Sequence, residues 1–378
     1  MRAVTYQGRK HVDVKNVPDP KLVKADDLVI QVTSAAICGS DLHLIHGMIP
    51  NLQKGYILGH EAMGVVVAAG PDVERVRVGQ RVIVPFNIAC GTCIYCQNQL
   101  EGLCDNSNEH NETGAIYGYS DTFGGYDGGQ AELLRVPYGN FGSFVVPESC
   151  ERDDEELLFL SDILPTAYWG VRNAGVKKGD TVVVLGCGPV GLLAQRFSWM
   201  EGAARVIAVD RLDYRLAHAK RTNHVETIHF ERQQHTGDMI KEMTRGGADV
   251  VIDCVGLDGK MNPIEVVESA LKLQVGTLSA IVIASQCVRK GGVIQLIGVY
   301  GARYNAFPLG DLFSRGVTLK MGQASVIHLL PELFRMIENE TLRATDLITH
   351  RLPLSEAPHA YRVFDQKEED CIKVVLKP

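Results

Sequence analysis

Short runs in which apolar and polar positions alternate fill the first part of the chain. Val12-Asp13-Val14, Leu28-Val29-Ile30-Gln31-Val32, Gly64-Val65-Val66-Val67 and Arg81-Val82-Ile83-Val84-Pro85 are β-branched stretches separated by Gly, Pro and Asp. That pattern predicts an irregular, mostly antiparallel β domain. A glycine-rich, aromatic stretch over 114–129 reads as loop. Beyond Pro147 the pattern changes. From Asp180 onward, apolar runs at 181–185, 205–209, 250–255 and 293–299 alternate with longer helix-like segments. Such alternation predicts βαβ units around a parallel sheet. The tail from Val317 returns to mixed strand and helix, and Lys373-Val374-Val375-Leu376 predicts a closing strand. The parallel-sheet unit is therefore expected to interrupt one other domain.

Composition narrows the classes. A chain of 378 residues is expected to form two domains. With 46% hydrophobic and 22% charged residues, the balance is that of a folded chain. A formal net charge of −7 and the lack of any Lys/Arg run speak against nucleic acid or an anionic membrane surface as partner. Met1-Arg2-Ala3-Val4-Thr5-Tyr6 enters strand-like sequence directly, with no signal-peptide apolar region. The uncharged stretch 273–288 is broken by Gln274, Gly276 and Thr277, and it falls short of the roughly 20 apolar residues a spanning helix needs. A cytoplasmic location is the resulting expectation.

Val182-Val183-Val184-Leu185 leads into Gly186-Cys187-Gly188-Pro189-Val190-Gly191, a Gly-x-Gly-x-x-Gly turn between a predicted strand and helix. The first glycine permits the tight turn, the second lets the backbone approach a pyrophosphate, and the third lets helix and strand pack closely. Free N–H groups at the helix start favour the phosphate charge, and Pro189 fits the first turn. Asp210 ends the next strand at about the 20-residue offset where a carboxylate accepts ribose hydroxyls. That favours NAD over NADP. Arg211 and Arg215 join the cofactor-binding candidates because an arginine can accommodate a 2′-phosphate; the alternative is that both are solvated helix residues.

Four of the ten cysteines crowd together as Cys90-x2-Cys93-x2-Cys96-x7-Cys104. In a chain without an export signal such a cluster binds metal more often than it forms disulfides. Four thiolates can close a tetrahedron around a structural zinc; an iron–sulfur cluster and a chance group of reduced thiols are the competing readings. A second candidate is dispersed: Cys38, in Cys38-Gly39-Ser40-Asp41-Leu42-His43, and His60, in Gly59-His60-Glu61. Two ligands do not hold a catalytic zinc. A third is required, leaving the fourth position for water or substrate.

Taken in order and spacing, these motifs resemble the zinc-containing alcohol dehydrogenase family of the medium-chain dehydrogenase/reductase superfamily over essentially the whole chain. Ser161-Asp162-Ile163-Leu164-Pro165-Thr166-Ala167-Tyr168 and the stretch 124–130 further resemble its glutathione-independent formaldehyde dehydrogenase branch. The resemblance implies an α/β fold: a doubly wound Rossmann sheet over 164–319, and a mostly β, GroES-like catalytic domain over 1–163 and 320–378 with a zinc lobe at 90–104. It implies two zinc ions per chain, with Asp162 as the third catalytic ligand beside Cys38 and His60. It implies hydride transfer from a small alcohol or aldehyde hydrate, formaldehyde included, to NAD. Alternatives are a polyol or amino-alcohol (threonine-type) dehydrogenase and a non-catalytic nucleotide-binding relative. By position, Ser40 is the first proton carrier and His43 the next. Asp41 orients His60, Glu61 sits behind the zinc as transient ligand or electrostatic tuner, and Thr166 faces the nicotinamide. Similarity to bacterial members implies a homotetramer. Between Glu268 and Val288 the sequence departs from a generic member, and a lengthened helical excursion before a Lys290-Gly291-Gly292 turn is expected.

Overall fold

The computed structural model describes residues 1–109, 112–233, 235–256, 277–301, 304 and 307–378. Two compact units divide it: residues 1–165 with 325–378, and residues 166–324.

The first unit is built on a seven-stranded sheet. Leu28–Ile37 is its central strand, pairing antiparallel with Glu61–Ala69, Leu133–Val136 and Lys373–Lys377. Leu28, Ile30, Val32, Val66, Val82 and Leu134 fill the core on one face. Two pairings decide where the chemistry falls. Ala36 lies opposite Glu61, and Ile37 lies opposite Val374. Residues 37–38, 60–61 and 373, distant in sequence, therefore meet at one end of the sheet. The closing strand expected at 373–376 is present as Lys373–Lys377.

Close approach of the first two strands depends on Gly64, which pairs with Val32. A Cβ there would meet the Gln31 carbonyl oxygen at 2.0 Å. No larger residue fits without separating the strands.

Among the described residues of the second unit six parallel strands run in the order Glu226–His229, Arg205–Asp210, Thr181–Leu185, Ala248–Asp253, Val288–Leu296 and Thr318–Met321. Numbered along this unit the order is 3-2-1-4-5-6, the doubly wound arrangement whose ligand crevice lies at the carboxyl ends of the strands. Val183, Ile207, Val251 and Ile294 form its buried centre. Of the excursion expected at 268–288, the part up to residue 276 lies outside the described residues; Ser279–Cys287 is helical. The expected turn at Lys290-Gly291-Gly292 is instead an irregularity inside the strand Val288–Leu296. Gly291 takes φ +65° and gives its N–H to Arg315, while Arg289 pairs with Asp249 at 2.6 Å. The extra residues bulge and the strand continues.

Gly64→Ala is expected to destabilise the chain by about 1–3 kcal/mol, the usual range for overpacking. Urea denaturation monitored by far-UV circular dichroism measures this, and an unchanged midpoint would contradict the packing described.

Candidate metal centre and nucleotide loop

Cys38 ends the central strand and stands at the start of the helix Gly39–Ile45. Its N–H donates to Asp41 Oδ2 at 2.9 Å, a helix cap made by the residue three positions on. Asp41 is fully buried, and its other oxygen lies 3.2 Å from His60 Nδ1. One carboxylate thus fixes both the helix bearing Cys38 and the imidazole ring opposite. With Nδ1 turned to Asp41, His60 presents Nε2 to the interior, the arrangement carboxylate partners impose on metal-binding histidines.

Asp162 arrives from a third direction, between the short helix Leu158–Ser161 and the helix Ile163–Ala174. Its Oδ2 lies 3.3 Å from His60 Nε2 and 3.4 Å from Cys38 Sγ. For tetrahedral zinc with bonds of about 2.0–2.3 Å, donor atoms should stand about 3.3–3.8 Å apart. These two separations match that edge, and all three residues are buried. Glu61 belongs to the same cluster, each residue offering one ligand atom within 4.8 Å of the others.

Electrostatics point the same way. Burial, reinforced by Asp162, pushes the Cys38 thiol up to about 11. Burial opposes the charged form of His60, yet Asp41, Cys38 and Asp162 together hold the imidazole well above its usual range. Acids buried this closely together call for a cation, and a divalent ion bound between them would answer that demand.

Behind the cluster Glu61 meets Lys373, a partner that the sequence pattern did not mark as functional. Lys373 Nζ donates to Glu61 Oε1 at 2.5 Å and to the Ile37 carbonyl at 2.9 Å, with both side chains fully buried. The one available signal was a lysine heading the apolar run Val374–Leu376. A second missed support is Gln130, which donates to the Ala36 carbonyl at 3.0 Å and to Asp41 Oδ2 at 3.2 Å. Tyr361 donates in turn to Gln130 Oε1 at 2.8 Å. Ser40 lies with its oxygen 3.8 Å from Cys38 Sγ, and His43 follows on the same helix, buried. His46 pairs with Asp365 at 2.9 Å and stands apart from the donor cluster.

Cys90, Cys93, Cys96 and Cys104 form the other donor cluster. Sulfur–sulfur separations are 3.5 Å (Cys93 to Cys96) and 3.9 Å (Cys90 to Cys96, Cys93 to Cys104). Four thiolates bound to one zinc at 2.3 Å should stand about 3.8 Å apart, whereas an iron–sulfur core between them would hold them further off. Against the cost of burial, donors from Thr92 and Cys93 bring the Cys90 thiol down to about 6. None of the ten cysteines is paired in a disulfide. Cys150, Cys187, Cys287 and Cys371 are buried, and Cys254 is half-buried.

In the second unit Gly186 takes φ +93° after the strand Thr181–Leu185. Gly188 caps the helix Pro189–Met200, which begins Pro189-Val190-Gly191. A Cβ on Gly191 would meet the Gly186 carbonyl at 1.9 Å, so the turn requires glycine there. Asp210 Oδ2 accepts the Cys187 N–H at 2.6 Å, while Oδ1 accepts those of Arg211 and Leu212 at 2.7 and 2.9 Å. This carboxylate therefore shapes the glycine turn itself. Arg215 brings Nη1 within 3.5 Å of where a side chain on Gly188 would begin, whereas Arg211 is exposed. Thr166, in this unit, is buried. Tyr168 packs on Phe197 with ring centroids 4.9 Å apart, a core role. Among the described residues no helix is long and apolar enough to cross a membrane.

Known proteins resemble this chain in sequence and fold. The alcohol dehydrogenase GroES-like domain family matches residues 24–147, and the zinc-binding dehydrogenase family matches residues 189–264. The zinc-type alcohol dehydrogenase-like protein AdhB of Bacillus subtilis is 61% identical over all of both chains. A glutathione-independent formaldehyde dehydrogenase of Pseudomonas aeruginosa is 33% identical, with 96% of this chain and 94% of that one aligned. Among solved structures, the alcohol dehydrogenase TADH from Thermus sp. ATN1 superposes with a TM-score of 0.84 at 35% identity, covering 100% of this chain and 99% of the other. With both donor clusters and the glycine turn in place, the chain belongs to the zinc-containing alcohol dehydrogenases and is an oxidoreductase.

Proposed function

We propose that the protein oxidises a small alcohol or aldehyde hydrate, formaldehyde included, with NAD as hydride acceptor. The observation that carries this reading is the donor triangle of Cys38, His60 and Asp162, in which the distances from Asp162 to the other two suit a tetrahedral zinc with one position left for substrate. Two negative donors and one neutral donor would balance the ion's charge. A carboxylate third ligand and the 33% identity to a glutathione-independent formaldehyde dehydrogenase favour the aldehyde-hydrate substrate class.

Zinc in this site would supply Lewis acidity that lowers the pKa of the substrate hydroxyl, and NAD would take up the hydride. The chain's own residues do the remainder. Ser40, half-buried next to Cys38, receives the hydroxyl proton, and His43, three residues on along the same helix, carries it outward. Asp41 keeps His60 in one tautomer. Glu61 places negative charge behind the three ligands, and Lys373 holds one of its oxygens back. Gly186, Gly188, Pro189, Val190 and Gly191 form the pyrophosphate turn. Asp210 accepts the adenosine ribose hydroxyls, Arg215 stands beside the turn, and Thr166 faces the nicotinamide.

Metal analysis of the purified protein should find two zinc ions per chain, one for each donor cluster. Asp162→Ala should lower that to near one and cut turnover by at least about a hundredfold, in line with loss of a metal-site interaction. Retained activity with both metals present would remove Asp162 from the ligand set. Asp210→Asn keeps an acceptor for the backbone donors but loses the charge. It should reduce the ratio of kcat/KM for NAD over NADP by about tenfold or more, the value of a charge-assisted hydrogen bond. An unchanged ratio would contradict the ribose assignment.

A further inference from the structure

Beside His60 lies a hydroxyl for which the mechanism above has no use. Tyr119 comes from the glycine-rich stretch read as loop, and only 4% of it is exposed. Its ring meets the His60 ring edge-on, with centroids 6.0 Å apart and planes at 88°. Phe123 packs on its other side at 5.1 Å. The ring is thus pinned against a metal-ligand candidate. Its hydroxyl is buried and forms no well-aligned hydrogen bond among the described residues, although the Ser40 hydroxyl stands beside it. A buried phenol left without a good partner loses stability unless something else supplies one.

Two hydroxyl-bearing side chains, Ser40 and Tyr119, therefore stand together at the donor triangle. A simple alcohol has one hydroxyl at the reacting carbon and uses one of them. The hydrate of an aldehyde has two hydroxyls on that carbon. We infer that Tyr119 is a specificity-determining residue, its hydroxyl donating to the second oxygen of a geminal diol while Ser40 serves the first. The inference rests on the proposed oxidation of alcohols and aldehyde hydrates, and it assigns the preference for hydrates to one side chain. A site built to hydrogen-bond a substrate hydroxyl discriminates against the analogue that lacks it, because its own polar group is then left unpaired.

Tyr119→Phe keeps the ring against His60 and Phe123 and removes only the hydroxyl. Binding can be followed without NAD, so that no turnover occurs, by ¹⁹F NMR of the zinc-loaded protein. The probes are trifluoroacetaldehyde hydrate and trifluoroethanol, which differ by one hydroxyl. The natural protein should bind the hydrate more tightly than the alcohol, and Tyr119→Phe should weaken hydrate binding by about tenfold while moving trifluoroethanol by less than about twofold. In turnover, kcat/KM for formaldehyde should fall by the same factor relative to ethanol. Equal loss for both ligands, loss for neither, or a fall in zinc content would overturn the inference. A two-zinc protein that oxidises ethanol but no aldehyde hydrate would overturn it and leave the alcohol dehydrogenase reading standing. Absence of turnover with either substrate would overturn both.

Discussion

Packing a thiol, an imidazole and a carboxylate close together in a buried interior is the constraint on which the candidate metal centre is organised. Two unit charges at the 3.4 Å between Cys38 Sγ and Asp162 Oδ2 repel by about 5 kcal/mol even at an effective dielectric of about 20. Glu61 adds a third acid at the same place. Lys373 offsets part of this from behind, and its reach is taken up by Glu61 and the Ile37 carbonyl. Protonating the donors would relieve the repulsion but would abolish their chemistry. A divalent cation relieves it and gives each donor a purpose.

The scaffold delivers these groups by sheet register. Pairing Ala36 with Glu61 and Ile37 with Val374 brings three chain segments to one end of the sheet. A slip of one residue would turn each side chain to the opposite face. Asp41 then links local and long-range order, since one oxygen caps the helix after Cys38 and the other faces His60. Gln130 and Tyr361 hold Asp41 from the far side. The glycine turn of the second unit follows the same logic on a smaller scale. There Asp210 receives three backbone N–H groups and so ties the turn to the end of the strand Arg205–Asp210.

Legibility in the sequence followed the distance over which each feature is determined. The four-cysteine lobe, the Gly186–Gly191 turn and the alternation of strands and helices are set by residues close in the chain, and their spacing states the geometry. Cys38 and His60 stood out as donors, but only resemblance supplied Asp162, because the helix junction that carries it has no periodic signature. Lys373, Gln130 and Tyr361 act through contacts spanning 89 to 336 residues, which no local pattern encodes. Tyr119 was hidden for another reason: aromatics among glycines look like loop filler until the ring beside them is known. Lys290-Gly291-Gly292 carried a turn's composition, yet strand pairing on both sides absorbed it as a bulge.

Zinc K-edge X-ray absorption on the fully loaded protein addresses the central claim most directly, because it counts the atoms bound to the metal. Cys38 and the four lobe cysteines should contribute five sulfur neighbours shared between two zinc ions, with the remaining neighbours at nitrogen and oxygen distances. A spectrum showing only four sulfurs for two ions, or a single ion ligated by sulfur alone, would contradict the convergence of Cys38, His60 and Asp162 on one metal.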